Sequence, residues 1–562
     1  MNGEVYWLAG AGPDGYDPGP DPGYDPGPDP EHYAGVDSRP EVKIGVDSWR
    51  IIEELSGAMA RDPRVFHRAY ALVTVVGIEP PTLEPLPRAA PVIRELSPPA
   101  AVLRLTRHVR LIAPVKPTNA EAAVAAISRE SRQPPPPAKW REITPPQAIV
   151  AQFLAAGEWP GIRRLVGVSE SPFMRPDGTI CQSPGYDAAT GYIYAPSAEY
   201  PRVAEQPTQA EAETALALLV DVFRDFPYVS PAARLVPVAA LLTLLARPAI
   251  VGSIPGFVLE ASTRGSGKTL QAHIVSLIAL GRFASPATFP DEDEELEKML
   301  AGYALTGARL ILLDNVTRPF GGAPLDKALT SRGEIDMRVL GSSSIRTLPW
   351  QAVMFATGNN VVLPEDTRRR VLVSRLESAL ENPEDREDVR DLPAYATAAR
   401  RELVCAGLTV LRSFASHGRP HTGGARWGSF EEWSALIPQA IVFAGGADVL
   451  AARPRGDAGD DDAAATAALL ERLPILSAEP LTAKQIIALL WPADRGDAPP
   501  DMHDALREAI EQLCPPRFGS RPEAKALGER LRRMSGRVVG GRRIVSRSSY
   551  SHAREWSVEV VA

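Results

Sequence analysis

One stretch restricts the fold of this 562-residue chain more than any other: the apolar run Phe257-Val258-Leu259-Glu260-Ala261, the loop STRGSGKT from Ser262 to Thr269, and the apolar stretch Leu270 to Leu280. The pattern reads as strand, glycine-containing loop and helix, which is the context a phosphate-binding loop requires. Gly265 and Gly267 let the backbone curl so that its amides point inward, and a helix opening near Lys268 adds its positive dipole end. Lys268 is expected on the β/γ-phosphates of ATP, and the Thr269 hydroxyl on Mg²⁺. Ser262, Gly265, Ser266, Gly267, Lys268, Thr269 and Leu270 are the nucleotide-binding candidates, with Ser262 standing where the strict pattern has its first glycine. The bland alternative is a Gly/Ser turn with a stray Lys-Thr.

Further short apolar runs, Leu310 to Leu313, Val353 to Phe355 and Val371 to Val373, read as buried parallel strands. The first ends in Asp314, a carboxylate at the sheet edge where Mg²⁺ would sit. The second runs into Thr357-Gly358-Asn359-Asn360, which brings amide side chains within reach of a γ-phosphate. Before the third, Pro364-Glu365-Asp366-Thr367-Arg368-Arg369-Arg370 supplies arginines of the kind that neutralise transition-state charge. Each also has a plainer reading, as a strand end, an Asn-Gly turn and a basic solvated turn.

Length alone predicts two to four domains. Residues 1–45 hold an Asp/Pro/Gly-rich repeat (Ala11 to Pro30) unable to bury enough apolar surface to order itself, so a disordered tail is expected. Residues 46–206, broken by proline clusters such as Pro134 to Pro137, read as an accessory domain. Helical spacing between Gln209 and Phe226 and again from Val236 to Leu245 opens the central domain, 207–376. A helical lid (377–455), an acidic linker (456–470, centred on Gly456 to Ala465) and a terminal domain (471–562) follow. No run of about 18 apolar residues that could span a bilayer is evident. The N-terminus lacks the features of a secretory signal, so a cytoplasmic location is expected. Cys181, Cys405 and Cys514 are too scattered for a disulfide framework or zinc site. His417 and His421 are interrupted by Gly418 and Pro420, which breaks the helix that a metal pair would need.

The net charge of −8 conceals a basic C-terminal stretch from Arg517 to Arg547. Ser520-Arg521-Pro522-Glu523 has the form of a capping box, and Ala524, Leu527, Leu531 and Met534 recur at helical spacing. Lys525, Arg530, Arg532 and Arg533 occupy the other faces. Val538 to Val545 then reads as a hairpin closed by Gly540-Gly541 and carrying Arg542 and Arg543. With helices at Thr482 to Leu490 and Asp501 to Leu513 and a strand from Trp556 to Val560, this is expected to be a winged-helix-like module binding DNA through its phosphates. A basic surface packing on a neighbouring subunit is the alternative.

The order SGKT, LLDN, Leu329-Thr330-Ser331 with Arg338-Val339-Leu340-Gly341, ATGNN and DTRRRVLVSRL resembles the ATPase domain of phage and mobile-element primase-helicases, which are AAA+-like and close to superfamily 3 helicases. Pro172 to Gly178 and Pro184 to Asp187 resemble the segment preceding that domain. The resemblance implies an α/β P-loop core with an N-terminal accessory domain and a C-terminal winged-helix-like domain. It implies ATP and Mg²⁺ as ligands, DNA as partner, and a homo-oligomeric ring such as a hexamer. Lys268 and Thr269 match the Walker A positions, Asp314 the metal acid, Asn359 or Asn360 the sensor, and Arg369 and Arg370 the finger; Arg338 matches an arginine of unclear role. One departure is Asn315, which stands where such ATPases often carry a second acid and which cannot accept a proton. Glu334 and Asp336 are other acids nearby in sequence, and the base stays unassigned. No priming chemistry is visible, which leaves priming to a separate primase. The two readings that follow are an ATP-driven DNA motor and a low-turnover switch or loader.

Overall fold

The computed structural model describes residues 37–77, 91–130, 139–196, 198–263, 265–338, 345–378, 390–423, 426–454, 461–492, 503–516, 521–536, 538–548 and 554–560. The Asp/Pro/Gly repeat, Pro134 to Pro137, the 339–341 part of the Arg338 motif, Ser520 and the Arg533 side chain lie outside them. Two compact units result, residues 1–370 with 374–449, and residues 450–562 with Val371–Val373.

The apolar runs of the central region form a five-stranded sheet. In chain order its strands are β1 (Gly256–Ala261), β2 (Pro286–Ala287), β3 (Leu310–Val316), β4 (Val353–Asn359) and β5 (Val371–Leu376), and their spatial order is β2-β3-β4-β1-β5. The pairings β1 with β4, β3 with β4 and β2 with β3 are parallel, as expected for strands buried on both faces. The two-residue β2 has too few apolar residues to signal itself in the sequence. β4 lies between β1 and β3, so the strand ending at Asn359 separates the loop after β1 from the strand carrying Asp314.

Helix Gln209–Val222 starts with a complete capping box between Thr208 and Glu211. Helix Pro231–Ala246 is longer than its Val236 to Leu245 core suggests and contains Pro237. Proline removes the donor that would bond the Ala233 carbonyl four residues back. The Ser374 hydroxyl on β5 donates to that carbonyl at 3.0 Å instead. With its 3₁₀ extension the segment Pro231–Ala249 is long and apolar enough to cross a membrane, contrary to the expectation that no such run exists. Its window is 83% buried inside the protein, and its apolar surface is accounted for as core.

Upstream residues pack against the elements that surround this sheet, within the same compact unit. Buried arginines make the join, because one guanidinium carries five donors and can bond several distant acceptors at once. Arg68 donates to the carbonyls of Ala304 (2.7 Å) and Pro349 (3.0 Å), and Arg309 donates to Ser169 Oγ (2.8 Å) and to the Leu244 carbonyl. Tyr192 Oη donates to Gln351 Oε1 at 2.9 Å. The Pro172 to Asp187 segment forms the hairpin Phe173–Met174 with Ile180–Cys181, tied to Asp187 by Arg175 at 2.8 Å.

The second unit corrects the linker expectation. Helix Asp461–Leu476 occupies most of the stretch read as a linker. Its alanines are strong helix formers, and Leu469, Leu470 and Leu473 are buried. Helices Ala483–Leu490, Asp504–Leu513 and Ala524–Met534 accompany a four-stranded antiparallel sheet of Leu481–Thr482, Arg554–Val560, Arg542–Ser548 and Val538–Val539. Gly540 and Gly541 both have positive φ, 57° and 72°, as a two-residue hairpin turn demands. The last helix differs from the capping-box reading: Glu523 is its N-cap and makes no side-chain cap hydrogen bond, so the helix begins two residues beyond the buried Pro522.

Candidate nucleotide-binding site

The loop after β1 turns into helix Lys268–Leu280 through Gly267, whose φ is 86°. A Cβ there would also stand 2.6 Å from the Phe226 ring, so glycine is required twice over. Ser266 Oγ donates to the Thr263 carbonyl at 2.8 Å, closing the loop on itself. Ser262 is exposed at the end of β1, Gly265 is exposed in the loop, and Leu270 is half-buried in the first helical turn.

Lys268, Thr269, Asp314 and Asn359 come together across three strands. Lys268 Nζ donates to the Thr263 carbonyl (3.0 Å) and to Asn359 Oδ1 (2.7 Å). Thr269 Oγ1 donates to Asp314 Oδ1 at 2.8 Å. Thr357 Oγ1 donates to the same carboxylate oxygen at 2.6 Å and accepts from the Asn315 amide at 3.0 Å. A hydroxyl and a carboxylate oxygen so placed are hard oxygen donors, the set that suits Mg²⁺. Partial burial pulls the Lys268 ammonium below its usual range, against the opposing charge of Asp314.

The two asparagines separate in role. Asn359 bonds the lysine, whereas Asn360 has φ 45° and ties the tip of β4 to β1 through its amide on the Ala261 carbonyl (3.2 Å). Asn315, with φ 53°, has an exposed side chain. Glu334 and Asp336 lie on the hairpin Glu334–Arg338 with Ile345–Pro349, outside the five-stranded sheet. Glu334 pairs with Arg164 at 2.5 Å and Asp336 accepts from Thr347 at 2.6 Å. Arg338 is exposed at the end of the first of these strands.

The arginine pair also divides. Arg370 is mostly buried and ion-paired to Asp326 at 2.9 Å, which also accepts from Thr367 Oγ1 at 3.0 Å. Arg369 is 64% exposed and meets Asp366 on its own turn at 2.6 Å. Neither bonds to the Lys268 cluster.

Sequence reasoning passed over two residues. Thr357 orients Asp314, and its signal was its place at the end of the strand that ends in Asn359. His273, one turn beyond Thr269, is pushed below its usual value by burial, with Asp314 opposing, and its Nδ1 is buried without a hydrogen-bond partner.

In the second unit Lys525 and Arg532 are exposed and Arg530 is half-buried on helix Ala524–Met534. Arg542 and Arg543 lie on strand Arg542–Ser548, where Arg543 pairs with Glu559 at 3.0 Å. Cross-strand register places Arg547 opposite Glu555. This hairpin therefore mixes acids with its cations.

No family model and no curated protein matches the chain. Among solved structures, it is similar to the apo A form of the NrS-1 C-terminal region, at 10% identity and a TM-score of 0.34, over 75% of this chain and 91% of that one. Another apo structure of that region gives 12% identity and 0.32 over 75% and 92%. A JCV helicase bound to a small molecule gives 13% identity and 0.18 over 42% and 68%. Identities and scores this low leave the reading of the site to its own geometry.

Proposed function

We propose that this protein is a P-loop ATPase acting on DNA, a helicase or translocase of a phage or mobile element working in the cytoplasm. The observation that carries the ATPase reading is the convergence of Lys268, Thr269, Asp314 and Asn359 on one sheet edge. In this reading Lys268 and the loop amides bind and orient the β/γ-phosphates. Thr269 and Asp314 would hold Mg²⁺, which when bound neutralises phosphate charge, and Thr357 keeps the Asp314 carboxylate oriented for it. Asn359 bridges from Lys268 toward the γ-phosphate, where its amide can position a water. The exposed Arg369 suits action in trans between subunits of a ring, while Arg370 is occupied within its own subunit. DNA contact falls to Lys525, Arg530, Arg532, Arg533, Arg542 and Arg543, and priming to a separate chain.

A low-turnover switch or loader is the second reading. Asn315 after the metal acid favours it, as do the engagements of Glu334 and Asp336 elsewhere, which leave no assigned base among the described residues.

Lys268→Ala is expected to abolish ATP hydrolysis while the protein stays folded, measured as phosphate release beside a thermal melt. Undiminished hydrolysis would remove the P-loop assignment. Comparing the parent's rate without DNA and with single- or double-stranded DNA separates the readings: stimulation supports a motor, a slow and indifferent rate supports a switch.

A further inference from the structure

A cavity of about 690 Å³ opens in the N-terminal part of the first unit, sharing no residue with the P-loop site. Its walls include Phe66, Val75, Tyr186 and Ile193, and its cations include Arg104 and Arg163. That volume lies inside the range of small-molecule sites, roughly 300–1,000 Å³, and the mixture of apolar wall and few convergent polar groups is their usual composition.

Arg163 is the distinctive group. Its guanidinium lies 4.7 Å from the Phe66 ring centroid and 4.9 Å from that of Tyr186, and the two rings are 5.7 Å apart. Arg163 Nη2 donates to the Pro63 carbonyl at 2.8 Å, and Tyr186 Oη is fixed on the Arg164 carbonyl at 2.8 Å. Arg163 has no carboxylate partner among the described residues, whereas Arg104 is neutralised by Asp62 at 2.8 Å. A planar cation is thus held on an aromatic floor with its charge uncompensated. Guanidinium planes stack on nucleic-acid bases, and Arg is a preferred partner of phosphate. Gly185 and Tyr186 belong to Gly185–Asp187, the edge strand of its sheet, so one side of that backbone is unpaired and can meet the polar rim of a base.

We infer that this cavity is a second nucleotide-recognition site, taking one nucleotide unit with its phosphate on Arg163 and its base between the guanidinium and the apolar wall. The unit belongs either to a free mononucleotide or to the phosphorylated end of a single strand.

The test uses the full chain and methylanthraniloyl-AMP as a fluorescent probe, which lacks the β- and γ-phosphates that Lys268 is read to hold. Saturable binding is expected, unchanged by Lys268→Ala. Arg163→Lys keeps the charge but loses the plane and should weaken binding about tenfold, within the range of one stacked base. Val76→Glu, at a half-buried lining position, should abolish it by setting a carboxylate in the cavity, with the melting temperature unchanged. Displacement by unlabelled AMP alone identifies a free nucleotide. Stronger displacement by a 5′-phosphorylated oligothymidylate identifies a strand end. Absence of saturable binding, or binding indifferent to both Arg163→Lys and Val76→Glu, overturns the inference. Should Arg163→Lys fail to fold, Val76→Glu alone decides. Binding lost only in Lys268→Ala would assign the probe to the P-loop and also overturn it.

Discussion

Single side chains at the sheet edge separate residues that bind from residues that hold. Arg369 and Arg370 are adjacent and chemically identical, yet only Arg370 is buried, with Asp326 as its partner at 2.9 Å. Arg370→Ala leaves that carboxylate without its cation and should cost about 1–3 kcal/mol of stability, read in a denaturant melt. Arg369→Ala should leave the melt unchanged and lower kcat more than it raises KM, as a finger acting on transition-state charge does. An Arg369→Ala enzyme with parental kcat would leave this arginine as part of a solvated turn. Glu260, on β1, yields a pH prediction. Burial raises its carboxyl above the ordinary value, opposed by Arg375 at 3.3 Å and by the Val361 amide. A carboxyl with a raised folded value favours the folded state while protonated, and that contribution is lost as pH rises through the raised range. Glu260→Gln should therefore gain on the parent in melting temperature from about pH 4 upward. A constant difference across that interval would count against it.

Helices of the first unit end on arginines borrowed from distant segments. Arg390 donates to the carbonyls of Asp221 (2.7 Å) and Val222 (3.1 Å), Arg309 to Leu244, Arg400 to Leu277 (3.1 Å) and Ile278 (3.0 Å), and Arg68 to Ala304. Each adds a side-chain donor to carbonyls in the last turns of a helix, where a cation also suits the dipole. Helix Lys268–Leu280 is held this way at the end opposite Lys268, with Ser171 Oγ on the Ala279 carbonyl at 2.8 Å as well. Burial lowers the ordinary value of Arg68 to about 10, which still leaves it charged near neutrality. Helix Pro231–Ala246 applies the same logic at its interior proline. Ser374→Ala removes the donor to the Ala233 carbonyl and should destabilise the protein by about 1–2 kcal/mol in equilibrium unfolding. Parental stability would mean that water or another donor replaces the hydroxyl.

On the scale of the whole chain, the proposed chemistry is divided between the two units. The second has its own core, with Leu469, Ile486, Leu506, Leu531, Ile544 and Trp556 buried together. A chain ending at Gly456 should retain ATP binding and lose most DNA affinity, with the salt dependence of binding flattened by about one unit of slope for each phosphate contact removed. Titrations at several salt concentrations measure this. Full DNA affinity in the shortened chain would return the C-terminal module to the alternative of a subunit-packing surface. Acids interleaved with the arginines across strands Arg542–Ser548 and Arg554–Val560, Glu555 and Glu559, make that outcome a real contest.

Local signals made the strand–loop–helix around Lys268 legible, because glycines, a terminal lysine and continuous apolar runs act through neighbours in sequence. The same holds for β1, β3, β4 and β5, for the helical spacing from Gln209, and for the Gly540-Gly541 turn. Asp314 and Asn359 could be nominated because each follows a continuous apolar run. Which asparagine meets Lys268, which arginine is locked by Asp326, and the attachment of Thr357 to Asp314 depended on strand order and register, which pair residues dozens of positions apart. The stretch after Gly456 misled because acidic and alanine-rich composition describes a linker and a helix start equally well; burial of Leu469, Leu470 and Leu473 decided it. The buried arginines could not be foreseen, since an Arg that caps a distant helix and an Arg that stays in water look alike until the carbonyls it must satisfy are brought to it by the fold.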